Sequence, residues 1–410
     1  MTGGKQPRIF YGYIVVAASF LVIAMMWGAA YCFGVFFEPL LAEFGWTRAT
    51  TSGAYALCMI FTGVLSLVAG RLTDKIGPRL VITGCGLFLG TGYILMSQIN
   101  AVWQLYLFYG VIVGIGMGGS FVPTATTVMR WFVKRRGVMA GVTASGVGMG
   151  TLIMPPIANW LISAYGWRIS YIVVGSVAIV LITLVAQLLK RDPSQIGCVP
   201  YGESELEENR YVQSTGFSLQ QALHTRLFWM FSIALVCFGL NLGTVMVHIV
   251  SHAIRLGLSA ASATGILSVI GGISIGGRVI MGSASDRIGN RITLLISFGL
   301  ISVALFWLLA ARELWMFYMF AVLFGFGYGG MAALGTPVVA ELFGLSSLGA
   351  IMGVTMICVE GAGAVGPVVA GHIFDITGSY NLAFTIYAVA NLIGLVLVVR
   401  LKSARGYSHR

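Results

Sequence analysis

Arg278 lies in the run from Ser262 to Ser285, a stretch of apolar and small residues that otherwise carries no charge. A guanidinium there is costly unless a partner or a water-filled cavity stabilises it. A carboxylate suits it best, because two parallel hydrogen bonds match its planar fork. Gly271, Ser274, Arg278, Gly282 and Ser285 share one helical face, so a small polar stripe is expected to line a cavity around the arginine. Glu360 stands in another apolar run. It can act as a proton carrier, as a neutral acid bonded between helices, or as the resting partner of Arg278. His248 can titrate in the working pH range or simply pack against a backbone carbonyl. Asn241, two turns earlier on the same face, can orient a ligand or bond a neighbouring helix. Tyr328, inside Gly325-Phe-Gly-Tyr-Gly-Gly330, can donate its phenolic hydrogen to a carboxylate oxygen. Tyr31, Phe33, Tyr55, Cys58 and Ser145 are candidates for the opposing, less polar wall, and Ser274 for the polar one. Phosphate loops, metal-ligand clusters and nucleophilic triads are missing from the sequence, and no metal or cofactor is expected.

These residues need elements to hold them. Of the 410 residues, 58% are hydrophobic and only 9% charged, far from the roughly 25% charged residues of soluble domains. The chain therefore reads as an all-α, multi-pass membrane protein. Helices are expected at about 11–37, 51–70, 79–97, 103–130, 137–164, 168–189, 227–255, 260–285, 291–311, 314–340, 347–374 and 380–400. Twelve spans put both termini on one face. With that face cytoplasmic, 19 of the 24 Lys and Arg fall on it, while Arg48, Arg168, Arg255 and Arg312 fall on the other. This is the positive-inside bias. The net charge of +11 is then a topology signal rather than a sign of nucleic-acid binding. Arg278 is the cation that topology does not explain, about 27 Å from the outer start of its helix at 1.5 Å per residue. The six cysteines imply no disulfide framework, and the first span reads as a retained helix.

The chain also repeats itself. Gly70-Arg-Leu-Thr-Asp74-Lys-Ile-Gly77-Pro-Arg79 matches Gly282-Ser-Ala-Ser-Asp286-Arg-Ile-Gly289-Asn-Arg291 at a spacing of 212. The same spacing relates Gly141-Val-Thr143 to Gly353-Val-Thr355 and Pro155 to Pro367, and one residue less relates Gly114–Gly119 to Gly325–Gly330. Two six-helix halves (1–189 and 227–410) with pseudo-two-fold symmetry follow, joined by a flexible cytoplasmic linker at 190–226 that carries Glu203, Glu205, Glu207 and Glu208. The repeated motif reads as a conformational latch: its glycines permit close helix ends, and Asp74 is expected to cap a neighbouring helix or pair with Arg79.

That motif, in both copies, resembles the signature of the major facilitator superfamily, and the resemblance spans the whole chain. It implies alternating access around a central site. Two further segments resemble the monocarboxylate transporter family. One is Arg130-Trp-Phe-Val-Lys-Arg-Arg136 followed by the small-residue helix to Gly150. The other is Tyr11-Gly-Tyr13-Ile-Val-Val with Gly34-Val-Phe-Phe37. Arg278 falls where that family keeps its substrate arginine. The chain departs from the family where Tyr11 and Tyr13 replace an acid and a tryptophan, Tyr31 a lysine, and Ser274 an aspartate. The resemblance implies proton-coupled symport of a small monocarboxylate such as lactate or pyruvate, with Arg278, Glu360 and His248 as proton-coupling candidates. An empty, unpaired Arg278 is expected to hinder the rocking step, and anion binding to ease it. The oxalate/formate antiporters are related, but they carry two buried cations for a dianion, whereas this chain has one, which favours a monoanion. An anion exchanger is the alternative. A receptor or efflux pump for lipophilic cations, with Glu360 as ligand group, is a third reading. Short loops fit a prokaryotic inner membrane, and a working monomer is expected.

Overall fold

The structure is a computed structural model that describes residues 10–132, 135–202, 217–344 and 347–401. Lys134, Arg210 and the acidic run of the expected linker lie outside the described residues, as do the terminal cations Lys5, Arg8, Lys402, Arg405 and Arg410. The chain is helical almost throughout, and among the described residues the only strand-like pairing is one bridge between Phe132 and Tyr201. The helices are α1 (Tyr11–Phe44, stepping at Cys32), α2 (Arg48–Ile76), α3 (Pro78–Met96) and α4 (Val102–Trp131). Next come α5 (137–165) and α6 (167–186), continuous except at Gly166, whose φ of 81° and ψ of 162° turn the chain between two spans. Then follow α7 (Arg226–Arg255), α8 (Ala260–Ile288), α9 (Asn290–Ala310), α10 (Leu314–Phe343), α11 (Leu348–Thr377) and α12 (Asn381–Arg400). The expected twelve crossings are present.

Several helices outrun the expected spans. A bilayer core needs only about 20 residues, but a helix continues until its chain signals stop it. In α2 those signals are Thr47, whose hydroxyl accepts from the Thr50 N–H, and Gly77, so the helix runs 29 residues. Likewise Glu38, expected just beyond the first span, lies inside α1. Gly77 and its repeat Gly289 share one backbone shape, φ 89° and 88° with ψ 158° and 150°. Glycine populates positive φ without the Cβ clash that other residues meet, which is why the motif keeps one at each helix junction.

Glycines set the packing. A Cβ on Gly329 of α10 would lie 2.3 Å from the Ser274 carbonyl oxygen of α8, and one on Gly325 would lie 2.7 Å from that of Ile270. Between α5 and α8, a Cβ on Gly148 would lie 2.7 Å from the Gly271 oxygen, and the reverse distance is also 2.7 Å. Ser274 lies in the same contact, its Oγ bonding its own helix at Gly271. The stripe expected to line a cavity is therefore mainly a close helix contact: small residues give helices in lipid their best backbone approach. Large apolar side chains such as Leu80, Trp103, Leu184 and Val279 point outward, as lipid contact requires.

Candidate functional site

Arg278 is only 7% exposed. Its Nη1 donates to the Ala144 carbonyl oxygen of α5 at 2.5 Å. Its Nη2 donates to the Tyr328 hydroxyl at 3.4 Å, and the guanidinium carbon stands 5.5 Å from that ring. Its Nε has no partner. Among the described residues no carboxylate pairs with it, so Glu360 is not its partner in this conformation. Glu360 is half-buried and makes no hydrogen bond or ion pair among the described residues. Tyr31 and Tyr55 are its electrostatic neighbours, and Tyr328 adjoins Tyr31. The helices thus bring Arg278 and Tyr328 together, and set Tyr31 and Tyr55 around Glu360. On the Glu360 face of α11, positions Gly353 and Gly349 meet no atom within 4 Å on the Cβ side, and neither does Gly141 of α5. These three glycines lie toward the face where the described chain begins and ends, the basic face.

The other candidates scatter. Asn241 is fully buried on α7, bonds Cys237 of its own helix at 2.6 Å, and leaves Oδ1 unpartnered. Phe33 packs on Tyr55 and Tyr109 at centroid distances of 5.5 and 4.5 Å. Cys58 is buried in the same packing. Ser145 bonds the Val142 oxygen and stands next to Ala144.

His248 belongs to a different cluster, at the far face. Its Nε2 meets the Pro367 oxygen at 2.8 Å and Ser52 Oγ at 3.3 Å, and its Nδ1 meets the Tyr380 hydroxyl at 3.0 Å. Next to it Arg48, read from sequence as a loop cation, is 7% exposed. Its Nη2 pairs with Glu38 at 2.7 Å and its Nη1 donates to Ser251 and to Tyr380 at 3.0 Å each. Its guanidinium lies 4.4 Å from the Phe374 ring. Asp375 accepts from the N–H groups of Arg48 and Ala49 at 3.0 and 2.9 Å, the N-terminus of α2, where a carboxylate is favoured. Among the hydrogen bonds seen between described residues, those joining the first six and last six spans fall in this cluster, apart from Arg278 with Ala144. The far face is held closed by this cluster. Sequence reasoning missed Glu38, Arg48, Ser251, Tyr380 and Asp375. The available signal was an acid and an arginine ten residues apart, flanking one short turn.

The latch residues also differ from expectation. Asp74 pairs with Arg130 at 2.7 Å rather than with Arg79, and Arg130 reaches Asp192 at 3.0 Å. Arg79 donates to Gln187, and its repeat Arg291 donates to the Val399 oxygen. Gln187 and Val399 are themselves 212 apart, so one contact is made twice. The acid is not matched in this way: Asp286 is exposed, and the position answering to Arg130 at a spacing of 211 is Glu341, which accepts from Asn290 at 2.7 Å. A carboxylate cannot pair with Asp286, and among the described residues the second copy shows no ion pair like that of the first. A Cβ on Gly70 would lie 2.7 Å from the Val122 side chain, while one on Gly282 would lie 3.8 Å from Ala333.

The profile of the Major Facilitator Superfamily matches residues 19–308 and 275–408. Monocarboxylate transporter 13 of Rattus norvegicus is 26% identical over 401 residues, covering 97% of this chain and 90% of that protein. The oxalate:formate antiporter of Oxalobacter formigenes is 28% identical over 405 residues, covering 97% and 92%. A bacterial homologue of the human lysosomal transporter Spinster, in an inward-facing and unoccupied conformation, shares the fold with a TM-score of 0.69 at 17% identity, over 97% of this chain and 95% of that one. The chain thus belongs to the Major Facilitator Superfamily, as a multi-pass membrane transporter related to the monocarboxylate transporters and to an oxalate:formate antiporter.

Proposed function

We propose that this transporter carries a small, lactate- or pyruvate-like monocarboxylate together with a proton, by alternating access between its two six-helix halves (1–189 and 227–410, with 190–226 as linker). The observation that carries this reading is Arg278: buried, with Nε unpartnered and, among the described residues, no carboxylate beside it. The cargo's carboxylate is the partner that removes the cost of burying it. Tyr328 stands beside the same guanidinium.

Charge balance supports proton coupling. Arg278 and an ionised Glu360 leave the site neutral. A monoanion alone makes it negative, and a proton on Glu360 restores neutrality before the halves rock. His248, with both ring nitrogens engaged in the far-face cluster, acts in closure rather than as a proton carrier. With the basic face assigned to the cytoplasm by the positive-inside bias, the conformation is inward-open, as in a multi-pass protein of a prokaryotic inner membrane, working as a monomer.

The test is uptake of radiolabelled lactate into proteoliposomes with and without an inward proton gradient. Stimulation by the gradient, lost in Arg278→Ala, is expected. Exchange for preloaded anion with no response to the gradient would instead support the antiporter alternative, and binding of a lipophilic cation in place of the anion would overturn the assignment.

A further inference from the structure

A second basic cavity lies on the far face, outside the closed cluster. It measures about 270 Å³ and is lined by His252, Arg255 and Arg312, with Phe374, Tyr380 and Asn381 among its other walls. It sits where the end of α7 meets the α9–α10 turn and the start of α12. Two arginines form its rim, and neither pairs with a carboxylate among the described residues. Arg255 lies over the Phe374 ring at 4.9 Å, and Arg312 spends one N–H on the neighbouring Ala311 oxygen. His252 forms the floor. It is 5% exposed, held among Phe317, Tyr380 and Phe384 at centroid distances of 5.8, 5.9 and 5.1 Å, and its Nε2 has no partner. Arg312 stands within electrostatic reach of that ring. No acid lines the cavity, and Asp375 nearby is already engaged at the start of α2. In addition α12 begins here without a side-chain cap, so its first N–H groups add positive potential.

We propose that this cavity is a docking site for a small carboxylate at the mouth of the transporter, separate from the site at Arg278. Two guanidinium groups and a buried ring nitrogen supply donors of the kind a carboxylate accepts. Its volume of about 270 Å³ has room for a few-carbon acid. Phe374 and Tyr380 are walls of the cavity and also hold Arg48 in the closed cluster, so the docked anion waits beside the contacts that must part to admit it. A cationic recess of this kind raises the local concentration of anions and speeds their encounter.

The proposal takes a carboxylate as the cargo, and the test separates the two sites. The full-length protein carrying Arg255→Gln with Arg312→Gln is expressed in cells, and lactate uptake from the medium and efflux of preloaded lactate are both measured. The expected result is an uptake KM about three- to tenfold higher at an unchanged maximal rate, as for loss of electrostatic steering, with the maximal rate of efflux from saturating preload also unchanged. The Lys pair at the same positions restores uptake in part. In lipid nanodiscs, Arg278→Ala keeps a weak lactate-binding signal that the Gln pair abolishes. An unchanged uptake KM overturns the proposal, as does equal loss of the maximal rates of uptake and efflux. No lactate signal in purely zwitterionic bilayers, together with anionic lipid bound by the wild type and not by the Gln pair, reassigns the cavity to lipid headgroups. Loss of all lactate transport in Arg278→Ala with the weak signal retained leaves this site standing; uptake unaffected by Arg278→Ala refutes the central site alone.

Discussion

Replacing Arg278 separates a cargo-binding role from a structural one. The guanidinium carries five N–H groups; Ala144 and Tyr328 take one each. Three remain, including Nε–H, enough for a side-on pair of parallel bonds to a carboxylate. Charge-assisted bonds contribute about 1.5–3 kcal/mol each. After allowing for dehydration of the anion, a loss of about 3 kcal/mol is expected for Arg278→Ala, or two orders of magnitude in Kd. Arg278→Lys keeps the charge but not the fork, and about tenfold is expected. The assay is unfolding of the purified protein with lactate at about 100 times the wild-type Kd. Ligand then stabilises the wild type by about 2.7 kcal/mol, whereas a hundredfold weaker Kd leaves about 0.4 kcal/mol. Without lactate the Ala variant should be at least as stable as the wild type, because it no longer buries an unmatched cation. A variant that retains the lactate-dependent stabilisation, or that unfolds readily without ligand while the Kd is unchanged, would falsify this reasoning.

Glu360→Gln should abolish stimulation of uptake by a proton gradient while lactate-for-lactate exchange continues; persistent stimulation would assign the proton elsewhere. Arg48→Met leaves Glu38 without its 2.7 Å partner, and breaking so buried a pair costs about 3–5 kcal/mol, a cost borne only when the far face is closed. Thiol labelling of a Gly353→Cys variant, at an open position on the basic side, should fall when Arg48→Met is added; unchanged labelling would remove the cluster's role in closure. Gly148→Val puts atoms within 2.7 Å of the Gly271 oxygen, so transport should stop with the folded protein still present, and normal turnover would show that α5 and α8 need not approach. Glu341→Arg gives Asp286 the partner that Asp74 has in Arg130. Being exposed, the new pair should add at most about 1 kcal/mol, read as a small rise in unfolding temperature; a fall would show that the Asn290 contact matters more.

Much of the scaffold was legible in the residues because lipid imposes simple rules. Apolar length located the spans, and the turns at Gly77 and Gly289 fall where the spacing of 212 places them, with one backbone shape. Arg278 stood out because a lone charge in such a run has few bland explanations. What could not be read was pairing at a distance. Arg48 meets Ser251, Tyr380 and Asp375 across more than 200 residues of chain, and nothing local to any of them announces the others. Helical phase placed Gly271 and Ser274 on the Arg278 face correctly, but phase does not say whether a face meets water or another helix. His248 shows the same limit: its residue type suggested proton traffic, while its neighbours make it part of a seal.

The bond from Arg278 to α5 ends on a main-chain oxygen. Whatever side chain occupies position 144, that oxygen stays, so substitution there cannot abolish this acceptor. The cargo therefore always meets a built-in rival for one N–H when the basic face is open, and no such rivalry is required once α5 and α8 shift. Affinity should then be lower at the open basic face than at the far one, which makes unloading the easier half of the cycle without any energy source beyond the gradients.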